Sequence, residues 1–230
     1  MIGCARRTVA VLGLMLLGAF GLAEQAQASG QQRVVERARL VLDSFLDDPA
    51  VFEEMRVYVQ NAYAVLVVPE LLKGGFVFGA EYGIGVLLVR DSETGSWGQP
   101  AFYALYGGSF GLQFGGQSSD VVFTIMNPRA VDQLIAHGLK LGADAGVAAG
   151  RLGGGVGAAT TTNLGEDIYT FAKSKGLFGG FWLDGAYVSA KHDWNRAYYG
   201  RPVDAGEIVR QPTMMASTEV DALRQSLTRF

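Results

Sequence analysis

Between residues 31 and 61 the apolar positions recur at helical spacing, and from residue 62 onward they alternate at a spacing of two. Val34, Ala38, Val41 and Phe45 fall on one stripe, with Arg33, Glu36, Arg37 and Asp43 elsewhere on the wheel, which predicts an amphipathic helix over Gln31–Leu46. Asp48-Pro49 supplies a cap and a proline at the first helical position, so Ala50–Asn61 is predicted as a second helix with Val51, Met55 and Val59 inward. Ala62–Val68, ending at Pro69, and Gly75–Leu88, in which Phe76, Phe78, Tyr82, Ile84 and Val86 alternate with small or polar residues, read as strands. The turn cluster Asp91–Gly98 joins Gly83–Arg90 and Ala101–Gly107 into a hairpin, and Gly111–Gly115 and Val121–Met126 continue it as a meander across Gly116–Asp120.

Asn127-Pro128 opens a third helix that Gly138 closes, with Val131, Leu134 and Ile135 buried. Strands resume over Leu139–Ala149, Ile168–Ala172 and Gly180–Ser189, followed by helical segments at Asp193–Tyr199 and Thr218–Arg229. The expected fold is α+β: a bent, mainly antiparallel sheet or small barrel with two N-terminal helices and one inserted helix. No repeat of 20 to 50 residues interrupts it. The pattern divides into residues 29–61 (helices) and 62–209 (the β-rich part), together one folded unit, with 210–230 as a helical tail.

Residues 1–28 stand apart. Arg6 and Arg7 precede the apolar run Val9–Leu22, and Ala26-Gln27-Ala28 comes next with the small residues of a cleavage site, so the segment reads as a secretory signal peptide. An apolar run of roughly 14 residues falls short of the ~20 that span a bilayer. Cys4, the single cysteine, precedes that run, so neither a lipid anchor nor a disulfide is expected. The leader carries Arg6, Arg7 and Glu24; the remainder holds 17 basic and 21 acidic residues, net −4, which argues against a nucleic-acid partner. The expected location is the periplasm or beyond, peripheral to an envelope membrane or secreted.

The glycine-rich stretch Gly107–Met126 contains the one catalytic-looking pattern. Gly107-Gly108-Ser109-Phe110-Gly111 matches the G-x-S-x-G elbow, in which a strand-to-helix turn exposes a serine. The residues after Ser109 read as strand, and the only histidines, His137 and His192, have no matching partners, so Ser109 is expected to be a turn or strand residue. His192-Asp193 lacks a second ligand at helical spacing, and neither a metal nor a cofactor is expected. The clusters Gly153–Gly157 and Gly176–Gly180 lack a Walker or dinucleotide pattern; beside Arg151, Lys173 and Lys175 they are turns or phosphate cradles.

From Gly83 to Gly200 the chain resembles the SYLF domain family, also called the Ysc84 actin-binding domain family. The resemblance rests on Trp97, Pro100 and Phe102, Gly111–Gly115, Ser119–Val122, Leu141–Ala145, Ala148–Gly150, Tyr169–Phe171, Lys175–Gly180, and Asn195 with Tyr198-Tyr199-Gly200. It implies a lipid-binding domain: eukaryotic members bind phosphoinositides through a basic amphipathic N-terminal stretch, and some bind actin. Here Arg151 stands where the pattern has proline, and Ala62–Glu70 lacks those basic residues, so neither phosphoinositide nor actin is an expected partner.

The resulting expectation is a bacterial envelope protein that binds phospholipid without turnover. Arg33, Arg37, Arg39, Arg151, Lys173 and Lys175 are the candidates for anionic headgroups, and Val34, Val41, Phe45 and Trp97 for membrane contact. The alternatives are a structural or protein-partner-binding envelope protein without lipid affinity and, remotely, a small serine hydrolase using Ser109.

Overall fold

The computed structural model describes residues 30–75, 78–110, 115–149, 167–176, 185–211, 214 and 217–230. The predicted leader, Arg151 and the Gly153–Gly157 cluster lie outside these. Helix α1 covers residues 30–46, and α2 covers Pro49–Asn61, preceded by Asp48 and burying Val51, Met55 and Val59. Four long strands come next: β1 (Ala64–Gly75), β2 (Phe78–Val89), β3 (Ala101–Phe110) and β4 (Gly115–Ile125). After α3 (Pro128–His137) come β5 (Leu139–Lys140), β6 (Val147–Ala149), β7 (Ile168–Gly176) and β8 (Tyr187–Ala190). The chain closes with α4 (His192–Tyr199), α5 (Ala205–Arg210) and α6 (Thr218–Thr228).

The eight strands form one curled sheet in the order β5-β8-β3-β2-β1-β4-β7-β6, antiparallel except where β6 meets β7. The α+β class with a bent, mainly antiparallel sheet is therefore as expected. Helices cover both faces. Ala64, Leu66 and Val68 point into one core with Phe123, Leu134 and Ile208, closed by α3 and α5. Val65 and Val67 point the other way, into a core with Phe171 of β7, with Phe45, Met55 and Leu223 supplied by α1, α2 and α6, and with the C-terminal Phe230. Burial on both sides explains why Ala64–Val68 is an unbroken apolar run rather than an alternating one.

Four details differ from the sequence reading. Strand β1 does not stop at Pro69: it passes through a bulge, with the register against β4 shifting between Val68 and Leu71. A bulge is one of the few strand positions that tolerate a residue without an N–H. Glu70 takes φ 56°, and its N–H donates to Asp120 Oδ1 at 3.2 Å. The extended segment predicted from Gly75 is the far arm of a β1–β2 hairpin, with Gly75 opposite Gly79. Strand β4 does not continue a meander beside β3; it crosses to the other edge of β1, with Leu66 opposite Phe123, and Gln117–Asp120 are strand residues rather than a turn. Helix α5 is additional, and its signal is present in the sequence: Asp204 accepts the N–H of Glu207 at 2.7 Å, the Asp-x-x-Glu arrangement of a capping box.

Candidate functional site

Most of the apolar residues expected at a membrane are occupied inside the fold. Val41 and Phe45 are buried in the core beneath α1 and Val34 is half-buried against it, because this stripe is what holds α1 to Val65, Val67 and Phe171 of the sheet. Trp97 is also buried. Its ring lies under the Arg90 guanidinium at 4.3 Å, and Arg90 in turn donates to the carbonyls of Val59 at 2.7 Å and Ala62 at 3.1 Å. Val41, Phe45 and Trp97 are thus not free to insert into a bilayer in this fold.

The basic candidates divide. Lys173 donates to the carbonyl of Ser44 at 2.6 Å, lies 3.4 Å from Asp48 Oδ2 and sits over the Phe45 ring at 4.9 Å. It fastens the α1–α2 junction to β7, which makes it a structural cation rather than a headgroup ligand. Arg39 is held between Glu36 and Asp43, both at 2.6 Å. Arg37 is exposed and paired with Glu70 at the bulge. Arg33 is exposed and makes no ion pair with a described residue. Lys175 lies opposite Ser118 in the β4–β7 ladder, its side chain outside the described residues.

Sequence reasoning missed a surface that register creates. On the face covered by α1, the strands run on past the helix, and Tyr106, Tyr82, Leu72 and Ser118 stand side by side as cross-strand partners. Leu72 is 57% exposed, Tyr82 44% and Tyr106 43%. The two tyrosine rings lie 5.6 Å apart. Beside this row an open depression of ≈ 610 Å³ is lined by Leu72, Lys73, Gly74, Ala80, Glu81, Tyr82, Gly116, Gln117 and Ser118. Arg37 joins α1 to Glu70, two residues before Leu72, and Arg33 and the exposed Leu40 occupy the same flank of the helix at i−4 and i+3. No single-residue signal could have shown this row; it depends entirely on which tyrosine meets which leucine across three strands.

The opposite face at this level is polar and largely buried. Lys73, Glu81 and Gln117 are cross-strand neighbours there, with Lys73 Nζ 3.7 Å from Glu81 Oε2. Burial pushes the Glu81 carboxyl above its ordinary range, with Lys73 opposing the shift. Ser119 shares a hydrogen bond of 2.8 Å with Ser174. Ser109 lies within β3 opposite Gly79, in strand as expected. His137 ends α3, His192 begins α4, and both are exposed. Asp144 accepts the N–H of Lys140 at 2.7 Å, a turn-bracing role like that of Asp120 at the bulge. Among the described residues no three acidic, histidine or cysteine side chains cluster as a metal site, and no described helix is long and apolar enough to cross a membrane.

A family model described as Ysc84, Las17-binding protein actin regulator, matches residues 106–230, more than half of the chain. The chain belongs to the Ysc84 (SYLF) family. Protein YSC84 of Saccharomyces cerevisiae is 32% identical over 171 residues, covering 72% of this chain and 36% of that protein. LAS seventeen-binding protein 3 of the same yeast is 31% identical over the same length, covering 72% of this chain and 37% of its own. SH3 domain-containing YSC84-like protein 1 of Xenopus laevis is 33% identical over 137 residues, 59% of this chain and 41% of that protein. The chain thus spans well under half the length of these relatives. No solved structure matches it. Asn195, inside the matched region, meets Phe102, just before it, in the core: Phe102 N–H donates to Asn195 Oδ1 at 2.7 Å, and Asn195 Nδ2 donates back to the Phe102 carbonyl at 3.3 Å.

Proposed function

We propose that this Ysc84-family chain is a non-catalytic binding module of the bacterial envelope that, after export, associates with anionic phospholipid surfaces. The observation that carries this reading is the exposed row Leu72–Tyr82–Tyr106 next to the arginine flank of α1. Aromatic rings with a polar tip suit the boundary between headgroups and hydrocarbon, and guanidinium groups beside them suit phosphate. Contact is therefore assigned to the sheet face and to Arg33 and Arg37, in place of the buried stripe of α1. Net charge is negative, so attraction to the membrane is local to this patch and falls with added salt. Binding without turnover is supported by Ser109, which lies within a strand rather than at a strand-to-helix elbow.

A second reading is favoured by the family description, which names a Las17-binding actin regulator. The same exposed row then receives a protein partner. Co-sedimentation separates the two. The chain purified from an exporting host, with its mature N-terminus read by mass spectrometry, is spun with phosphatidylcholine vesicles doped with increasing phosphatidylglycerol. Association that rises with anionic content and falls with salt is expected; no association at any composition rejects the lipid reading and leaves the protein-partner one.

A further inference from the structure

The glycines of the distal strands fall into two groups. A β-carbon at Gly83 would meet Val68 Cγ1 at 2.6 Å, one at Gly85 would strike the carbonyl oxygen of Val67, and one at Gly107 the carboxylate of Glu81. Packing requires Gly83 and Gly85 to lack a side chain, and a side chain at 107 would have to displace the Glu81 carboxylate. Gly108 and Gly116 are different: a β-carbon at Gly116 would meet nothing within 4 Å, and one at Gly108 only the carbonyl oxygen of Gly79 at 3.9 Å. Neither is among the described glycines with left-handed backbone. Glycine weakens a strand interior unless something approaches the backbone closely, and nothing among the described residues approaches here.

Gly108, Ala80, Gly74 and Gly116 are successive cross-strand partners, and all four are exposed. They lie one pleat beyond Tyr106, Tyr82, Leu72 and Ser118 on the same face. A row of bulky residues followed by a row with almost no side chains makes a step in the sheet surface, and the ≈ 610 Å³ depression occupies that step over β2, β1 and β4, with Tyr106 and Gly108 of β3 continuing the two rows beyond it. Its wall is hydrocarbon and aromatic ring. Its floor is strand backbone already committed to the ladder, where Lys73, Glu81 and Gln117 are the alternate residues whose side chains turn to the opposite face, so it has little to offer a polar ligand or an added strand. At the helix side of the wall stands Arg37, paired with Glu70, and Arg33 lies one turn earlier on the same flank of α1.

We propose that this step is the seat of one hydrocarbon chain of an anionic amphiphile, lying along the bare row against Leu72, Tyr82 and Tyr106 with its charged end toward Arg37 and Arg33. The inference deepens the lipid reading above and rests on it for the class of ligand. An apolar tail matches the wall and floor, and Arg33, together with Arg37 on exchanging its Glu70 partner, supplies the complementary charge that singles out an anionic head. The volume falls within the about 300–1,000 Å³ typical of small-molecule sites.

The test uses lysophosphatidylglycerol below its micelle concentration, titrated calorimetrically into the exported chain. The variants are Gly108→Val with Gly116→Val, which fills the floor, and separately Leu72→Asn, which removes the wall at an exposed position where folding is not at stake. Valine is a better strand residue than glycine, so thermal unfolding of the double variant is expected unchanged or raised. One-to-one binding by the wild type, weakened about tenfold in both variants (~1.4 kcal/mol), is the expected result, with vesicle sedimentation of the double variant retained through Arg33 and Arg37. Equal affinity in wild type and variants, or no binding by the wild type, overturns the seat. Loss of wild-type vesicle sedimentation with the variant-sensitive amphiphile binding intact would instead reject surface association and leave the seat standing.

Discussion

The carboxylate of Glu81 occupies the space over Gly107, its partner across the β2–β3 ladder, where a side chain at 107 would have to stand. Glu81 has almost no exposed surface, and the neighbouring position 108 on the other face is open. Gly107→Ala is therefore expected to destabilise by about 1–3 kcal/mol through overpacking, whereas Gly108→Ala is expected to be neutral or mildly stabilising. Denaturant midpoints of the two variants, measured side by side, check the contrast; equal shifts would refute it.

The same carboxyl makes stability depend on pH in a defined direction. Burial raises its proton affinity in the fold above the ordinary value of 4.5, with Lys73 only partly opposing. The native state then holds this proton more tightly than the unfolded chain, so Glu81's contribution to stability is fully present below the unfolded pKa and is lost as pH rises through the raised folded value. Urea midpoints taken from about pH 4 to pH 7 should show this decline as a component that is missing in Glu81→Gln. An unchanged pH profile in that variant would mean that Glu81 is not the group responsible.

Asn195 satisfies both backbone groups of Phe102 from a fully buried position. Asn195→Leu leaves the Phe102 N–H without its partner and is expected to cost about 1–3 kcal/mol. Vesicle association by the folded fraction should remain at the wild-type level, because the Asn195 side chain is turned into the core against Phe102 and takes no part in the exposed row. Reduced membrane affinity with normal stability would assign Asn195 to the site instead.

Reversing charge at the two exposed arginines tests the headgroup assignment. A basic residue near an anionic surface contributes about 1 kcal/mol, so Arg33→Glu and Arg37→Glu are each expected to weaken vesicle binding at least about fivefold and together to flatten its salt dependence. Lys173→Met should behave otherwise: its contacts with Ser44 and Asp48 are internal, and stability, not membrane affinity, should fall. Binding that survives both arginine reversals with its salt dependence intact would remove these residues from the site.

Trp97 gives a cleaner separation of core from surface. Trp97→Ala opens a cavity under Arg90 and is expected to cost about 3–5 kcal/mol. Tyr82→Ser, at a half-exposed position on the proposed face, should change stability by much less and lower vesicle affinity more. Measuring both quantities for both variants tests the assignment, and a Tyr82→Ser variant with unaltered affinity would count against the sheet face.

The helices and strand segments were legible because their signals are local. Asn127-Pro128 caps α3 through a bond to the N–H of Arg129 at 2.9 Å, and the 3.6-residue spacing of Val51, Met55 and Val59 fixes the buried face of α2. Asp204 and Glu207 carried an equally local signal for α5 that composition alone did not bring out. The membrane candidates of α1 failed for a different reason. A stripe of Val41 and Phe45 is the same whether it meets lipid or a sheet, and only the presence of Val65, Val67 and Phe171 beneath it decides which.

By itself the sequence determined the class of fold, the two N-terminal helices, the inserted helix, the strand character of Ser109 and the family, since each depends on residues near one another in the chain or on motifs kept in order. Tertiary structure alone decided that β4 pairs with β1, that the chain passes Pro69 through a bulge at Glu70, and that Leu72, Tyr82 and Tyr106 form one exposed row beside Arg37. The physical reason is register: a slip of one residue would send every side chain of a strand to the other face. Which residues share a surface is therefore set by long-range pairing and the burial that locks it.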